Sequence, residues 1–435
     1  MKHYCIVIVL LFVSSHSALH SDKPTRKIIE VPVQYALSGY IKFESYADTR
    51  QVVGSATDQT LLFPEKKLLD PLGRDKNGNG QLQMVALESR LALKVFNICN
   101  WSNTQAEIEG DFVGTGLHFN FIDSSHLDNV FRLRHAFIQF DWPELQLLFG
   151  QTWSPTFTPD CYADTVSFNN GSPFDIYSRN PQVKLTLHCN HLDFIAMAAS
   201  QIKDFASPGV KGYSTDYIRN AIMPNFHAQI RGRYDHHAFG IGYDVKRLKP
   251  RLQGDPVGID QTLFAVSESL ISNAVLAYYT LFYCPFKIST KVIYGQNTVD
   301  MGMLGGYAIQ SINPITDEQT YTNIRVASIW TDIVCTAFAS FEPGLFFGYT
   351  KNLGTQKTID MSKDPHLFAL GEDIDMMWRI APRCRWRREN ITFAAEIEYT
   401  AAAFGTFVNR DNKSKVINSS WVDNIRALFA VYYFF

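Results

Sequence analysis

Alternation is the pattern that recurs along this chain. At its end, 424–435 reads NIRALFAVYYFF. From Ala427 every second residue, Ala427, Phe429, Val431, Tyr433 and Phe435, is apolar or aromatic, while the interleaved set opens with Asn424 and Arg426. A period of two with one apolar face is that of a β-strand. An aromatic strand left at a sheet edge in water is a template for aggregation, whereas in a closed membrane barrel the last strand pairs with the first and no edge remains. A core strand of a soluble β-sandwich would show the same period, so the rest of the chain has to decide.

The same rhythm runs through the sequence. Segment 37–48 places Tyr40, Lys42, Glu44 and Tyr46 on one face and Ile41 and Phe43 on the other. Segment 85–96 sets Arg90 and Lys94 against Leu91, Leu93 and Val95, and 105–114 sets Glu107, Glu109 and Asp111 against Ile108 and Phe112. Further strands are read at 130–140 and 145–152, in hairpins over 182–199, 225–246, 272–294, 323–351 and 375–402, and at the C-terminus. This makes about sixteen strands. Their connections alternate between short turns and long polar loops, the two-sided asymmetry of an outer-membrane barrel with short periplasmic turns and long outer loops. The expected fold is therefore all-β: one transmembrane antiparallel barrel over 37–435, with no plug domain.

Charge near the bilayer midplane on a lipid-facing side costs about 2–4 kcal/mol for Arg or Lys, so the charged set of each strand should face the lumen. That assigns Lys42, Arg90, Lys94, Arg132, Arg134, Lys184, Arg231, Arg233, Arg325, Arg379, Arg383, Arg385, Arg387 and Arg426 to a basic wall. Glu44, Glu107, Glu109, Asp111, Asp244, Glu396 and Glu398 stand against them. The expectation is a surplus of unpaired guanidinium groups that attracts anions; the bland counterpart is mutual pairing that merely stiffens the wall. Loop 153–178 follows the fifth strand and, folded into the lumen as a constriction, would bring Asp160, Asp164 and Asp175 to face the basic wall. An outer loop lying over a subunit contact is the alternative.

Composition fits this picture. The chain of 435 residues holds 20 Tyr and 32 Phe, yet its mean hydropathy is only -0.10, as expected where half of each strand meets lipid and half meets water. Formal net charge is -2, which gives no steering toward nucleic acid. Lys2 and His3 precede an apolar run over 4–13 and the small residues Ser15, Ser17 and Ala18, which reads as a signal peptide over 1–18 followed by a short leader over 19–36. Cys5 leaves with the signal; Cys99, Cys161, Cys189, Cys284, Cys335 and Cys384 fit no metal-ligand spacing, and both an oxidised pair and free thiols are compatible with their positions.

Seven stretches resemble the DcaP-like trimeric outer-membrane porins of Gram-negative bacteria: SGYIKFESYAD (38–48), ESRLALKV (88–95), AEIEGDFVGTG (106–116), FRLRHAFIQF (131–140), LLFGQTWSPTF (147–157), FFGYTKNLG (346–354) and RIAPR (379–383). They fall in the family's order over most of the mature chain. The resemblance implies a homotrimer in the outer membrane, each barrel a diffusion pore for small, preferably anionic solutes, without cofactor or enzymatic activity. The sequence departs from family members that use a long N-terminal coiled coil, since 19–36 is short and lacks heptads. Phe429, Val431, Tyr433 and Phe435 also resemble the C-terminal assembly signal through which the barrel-assembly machinery receives outer-membrane barrels.

Other motifs carry less. Asp75-Lys76-Asn77-Gly78-Asn79-Gly80 begins like a calcium loop, but the twelfth position is Ala86 rather than a bidentate Glu, so a turn is the better reading. His188 and His191 flank Cys189 in a hairpin turn with no further ligands nearby, and no metal is expected. No nucleophile elbow or phosphate-binding loop is present. The competing functions are a surface adhesin and a lipase- or protease-type barrel enzyme.

Overall fold

The computed structural model describes residues 33–55, 58–97, 99, 101–114, 130–406 and 410–435. The signal peptide expected at 1–18 and most of the leader lie outside them. In chain order the strands are β1 (Gln34–Asp48), β2 (Val52–Ser55), β3 (Thr60–Pro64), β4 (Gln81–Val85), β5 (Arg90–Phe96), β6 (Asn103–Asp111), β7 (Arg132–Asp141), β8 (Leu145–Trp153), β9 (Arg179–Cys189), β10 (Leu192–Ala199), β11 (Asn225–Tyr234), β12 (His237–Leu248), β13 (Leu270–Tyr283), β14 (Phe286–Gln296), β15 (Gly305–Ile312), β16 (Gln319–Cys335), β17 (Phe341–Thr355), β18 (Leu367–Leu370), β19 (Ile374–Arg388), β20 (Ile391–Phe404) and β21 (Ser420–Phe434).

Sixteen antiparallel wall strands close into a barrel, with β4 and β5 counting as one. β1 pairs with β21 from Tyr40↔Phe434 to Asp48↔Arg426, and with β4 and β5 on its other edge. Closure leaves no row of unpaired backbone groups to face lipid. At the seam the Gly39 N–H donates to the Phe435 carbonyl and the Phe435 N–H to the Gly39 carbonyl, each at 3.1 Å. A Cβ on Gly39 would sit 2.2 Å from the Arg90 carbonyl oxygen and 2.9 Å from the Phe435 ring, so the seam requires a glycine.

The alternating faces follow the sequence. Ile41, Phe43, Leu91, Leu93, Ile241, Val292, Ile329, Phe347, Ile397 and Phe429 are exposed on the outer surface, while their neighbours in the strands point inward and are buried. Trp101, Phe140 and Trp142 stack on one another at the short-turn rim, with ring centroids 5.0 Å apart for Trp101–Phe140, in the manner of an interfacial aromatic girdle.

Three features differ from the sequence reading. The expected second strand is broken at 86–89, where the chain turns so that Glu88 reaches inward to Lys42 and Arg90. β15 and β18 pair with each other and extend the sheet beyond the wall. The first long connection does not stay outside: its hairpin β2–β3 is buried, with Leu61 and Leu62 fully so, and packs inside the barrel with 154–178.

That interior packing is a true apolar core. Val53, Leu62 and Phe63 of the hairpin and Cys161, Ala163, Phe174 and Ile176 of the loop meet inward residues of the wall, among them Leu276 on β13, Ile293 on β14, Trp330 on β16, Phe346 on β17 and Met377 on β19. The inserts thus bury an apolar core against β13–β19, where ion pairs such as Arg383–Asp332 also stand, while β1, β5, β6 and β7 present mainly charged residues inward.

The seam carries a buried ion pair that can be tested. Asp48 accepts from Arg426 Nε at 2.9 Å and Nη2 at 2.7 Å, from Asn424 Nδ2 at 2.8 Å and from Gln81 Nε2 at 3.1 Å, with the Arg426 guanidinium 4.4 Å from the Tyr46 ring centroid. Asp48→Asn leaves Arg426 without its counter-charge and is expected to cost about 3–5 kcal/mol. The readout is a lower temperature at which the compact, heat-modifiable form is lost on a detergent gel.

Candidate functional site

Most residues assigned to the basic wall do point inward, and each that does so deeply has a carboxylate or a carbonyl against it. Lys42 contacts Glu44, Glu88 Oε2 at 2.5 Å and the Val166 carbonyl at 3.2 Å. Arg132 meets Asp111 at 2.7 Å and Asp204 at 3.2 Å, and Arg134 meets Glu109 at 2.6 Å and Asp111 at 2.9 Å. Arg383 is bidentate on Asp332 at 2.7 and 2.8 Å, and Arg385 holds Asp164 at 2.9 Å and Glu342 at 3.1 Å. Arg90, level with Arg132, meets Glu88 at 2.9 Å; nearer the short-turn rim Arg231 meets Asp193 at 2.5 Å, Arg233 Asp160 at 2.7 Å, Lys94 Glu107 at 3.5 Å and Arg387 Glu342 at 3.0 Å.

The expected surplus of unpaired guanidinium groups is therefore not what these residues form. A lone ion in a low-dielectric interior costs several kcal/mol, and the fold supplies a partner instead. Several partners were not among the acidic candidates: Asp48, Glu88, Asp193, Asp204, Asp332 and Glu342. Asp48 and Asp332 carry a legible signal, because each falls on the inward set of its strand, with Tyr46 and Trp330 respectively.

Arg325 is placed differently from its assignment. On β16 Ile324, Val326, Ser328, Trp330 and Asp332 all face inward in unbroken alternation, so Arg325 falls on the other face. There it donates to the carbonyls of Leu353, Gly354 and Thr355 at 3.2–3.3 Å. The extra residue at this point lies in the partner strand β17, so the period of β16 is intact and parity alone puts Arg325 on the outer set.

Loop 154–178 is fastened to the wall through its backbone. Glu396 accepts the Val166 and Ser167 N–H groups at 2.8 and 3.2 Å, and Glu398 accepts Asn169 Nδ2 at 2.7 Å. Arg379 donates to the Ser172 carbonyl and, on its other side, to the Leu61 and Leu62 carbonyls of the β2–β3 hairpin, all at 3.0 Å. One buried arginine therefore ties both inserts to β19. The three candidate acids each meet a wall cation: Asp160 Arg233, Asp164 Arg385, and Asp175 Lys291 at 2.8 Å.

Two inward lysines are different. Lys184 on β9 and Lys287 on β14 have no carboxylate within 4.0 Å among the described residues, and both are partly exposed. The Lys287 ammonium lies 5.0 Å from the Tyr162 ring centroid of the inserted loop, which places it at the lumen surface of that loop. Neither has a sequence signal that separates it from its paired neighbours.

At the outer mouth the long connections enclose two cavities, of about 780 and about 590 Å³, that share Lys363, Asp364 and Pro365. Lys363 bridges Asp255 at 2.6 Å and Asp317 at 2.8 Å. Burial, reinforced by neighbouring Asp373, raises the Glu372 carboxyl above its ordinary range. In the calcium-like turn the Asp75 carboxylate is engaged by the Leu68 and Asn77 N–H groups and by Arg50 at 3.0–3.1 Å, and His188 is bonded to Asp193 at 2.6 Å. Among the described residues Cys99, Cys161, Cys189, Cys284, Cys335 and Cys384 stand as free thiols. Phe429, Tyr433 and Phe435 of the last strand are exposed, with Val431 partly covered.

No family model matches the sequence, and no curated protein matches it in sequence. Solved structures do match in shape. The outer-membrane channel DcaP of Acinetobacter baumannii superposes with a TM-score of 0.64 at 13% identity, over 93% of this chain and 98% of that one. The fold is that of the outer-membrane porins. The trimer form of OmpT of Vibrio cholerae, an outer membrane protein, has a TM-score of 0.54 at 11% identity, covering 93% of this chain and 99% of that chain. An anion-selective porin of Comamonas acidovorans reaches 0.52 at 8% identity, covering 93% and 100%.

The anchoring of the inserted loop gives a direct test. Glu396→Ala removes two charge-assisted bonds to the loop backbone, each worth about 1.5–3 kcal/mol. Limited proteolysis of the folded barrel is expected to cut near 166–167 in this variant and to spare the parent protein.

Proposed function

We propose that this chain is an outer-membrane porin that lets small solutes diffuse through its lumen, with a preference for anions, and that it works as a homotrimer. The observation that carries the reading is the combination of a closed sixteen-strand wall with a loop held inside it, between an apolar and an ionic side. Diffusion needs a narrowed, charged passage rather than a catalytic cluster, and the inserted loop supplies the narrowing. The anion preference rests on Lys184 and Lys287, whose ammonium groups have no carboxylate within 4.0 Å among the described residues. In this reading residues 1–18 direct export and are removed, 19–36 form the leader, and 37–435 make the barrel. The C-terminal strand presents Phe435 to the assembly machinery.

The pairing geometry changes which residues should control selectivity. Arg132 and Arg134 are buried in their own network, so Arg132→Ala is expected to destabilise the barrel by about 3–5 kcal/mol rather than to retune it. Lys184→Gln and Lys287→Gln together are expected to lower the anion-to-cation permeability ratio roughly twofold or more in a fold that stays intact. Planar-bilayer recordings of the mature protein, with the reversal potential taken in a salt gradient, measure both. Cation preference in the parent protein would overturn the charge assignment, and a folded barrel that carries no current would overturn the porin reading.

A further inference from the structure

One buried arginine stands apart from the paired network. Arg179, at the start of β9, is 1% exposed, and its Nε, Nη1 and Nη2 all lack a hydrogen-bond partner. It also has no carboxylate within salt-bridge distance among the described residues, unlike neighbouring Arg90, Arg132 and Arg134. Aromatic rings hold it: the guanidinium carbon lies 4.7 Å from the Trp153 ring centroid and 5.6 Å from those of Tyr177 and Phe205. Arg134 stands 5.8 Å from the same Trp153 ring.

The ring contacts compensate the charge but satisfy none of the N–H groups. The nearby Asp111 carboxylate is already committed, with one oxygen on Arg132 Nε and the Val113 N–H and the other on Arg132 Nη2 and Arg134 Nη1. Two further donors without partners lie in the same cluster, the Tyr177 hydroxyl and the Arg90 Nε–H. Four guanidinium groups, of Arg179, Arg134, Arg90 and Arg132, act electrostatically on the Tyr177 hydroxyl.

We propose that Arg179, with the Tyr177 hydroxyl and Arg90, forms a fixed binding site for a tetrahedral oxyanion of the phosphate class inside the barrel. This deepens the anion preference proposed above and depends on the porin reading for the route by which the anion arrives. The donor set decides the ligand class. The five N–H donors of one guanidinium, the phenol and a second guanidinium N–H outnumber the roughly four lone-pair sites of a carboxylate. A tetrahedral oxyanion offers acceptors in more directions and suits planar, bidentate Arg recognition. The Phe205 ring covers the guanidinium from the 200–214 connection, so the anion enters as that ring swings aside.

Titration of inorganic phosphate into the folded, detergent-solubilised barrel at constant ionic strength, followed by calorimetry and by phosphorus NMR line width, tests the site. One saturable site per chain is expected, with acetate binding about tenfold or more weaker. Arg179→Met should weaken phosphate about tenfold, and Tyr177→Phe, which removes only the hydroxyl, should weaken it severalfold. Phe205→Ala should speed exchange. Phosphate binding no stronger than chloride, or equal in Arg179→Met or Tyr177→Phe and the parent, overturns the proposal. So does acetate binding as well as phosphate. Bilayer currents separate the two claims: an anion-selective channel that does not bind phosphate loses this site alone, whereas a barrel that binds phosphate and carries no current keeps the site and loses the porin reading.

Discussion

Everything in this molecule depends on one constraint: within a bilayer no backbone N–H or C=O can look to water for a partner. The pairing of β1 with β21 answers it, and it dictates what the side chains can do. Once the outer set of every strand is committed to lipid, the charges carried at its depth must go inside, and those on the outer set stand toward the strand ends. The inside is narrow and partly filled, so those charges meet little solvent. Most are held as pairs or where they cap the backbone of an inserted segment, as Arg379, Glu396 and Lys42 do, while Arg179 is held by aromatic rings.

The strand rhythm and the two-sided loops were legible because lipid and lumen impose a strict period of two on the wall. Final-strand faces read from Asn424 and Arg426 are the faces observed, both residues being fully buried while Phe429 is exposed. What the period does not encode is which inward charge meets which. Asp332 and Arg383 lie on strands whose partnership depends on register, and 51 residues separate them. Arg325 lay within reach of the period, since it alternates with the inward Ile324 and Val326. The β2–β3 hairpin was read as part of an outer loop because TLLFP is too short an apolar run to declare where it is buried.

The two inserts give the lumen two characters. Toward β13–β19 it behaves as a protein core, with Trp330, Phe346 and Met377 closed over apolar residues of the loop and hairpin. Toward β1–β7 it is an ionic lattice in which charges are arranged around Asp111, Glu88 and Asp48. The apolar side is sealed beneath the inserts, so it holds them in place and does not face a passage.

The hairpin also sets a clock. Its carbonyls at Leu61 and Leu62 are held by Arg379, 318 and 317 residues later, and Gln59 by Arg426, 367 residues later. An N-terminal segment cannot dock on strands that have not yet joined the wall, and contacts so distant along the chain form late. The barrel must therefore all but close before its own filling can settle. Until that moment the apolar strip of β13–β19 remains uncovered toward the interior, a wet intermediate whose last step is the expulsion of water by a segment made among the first.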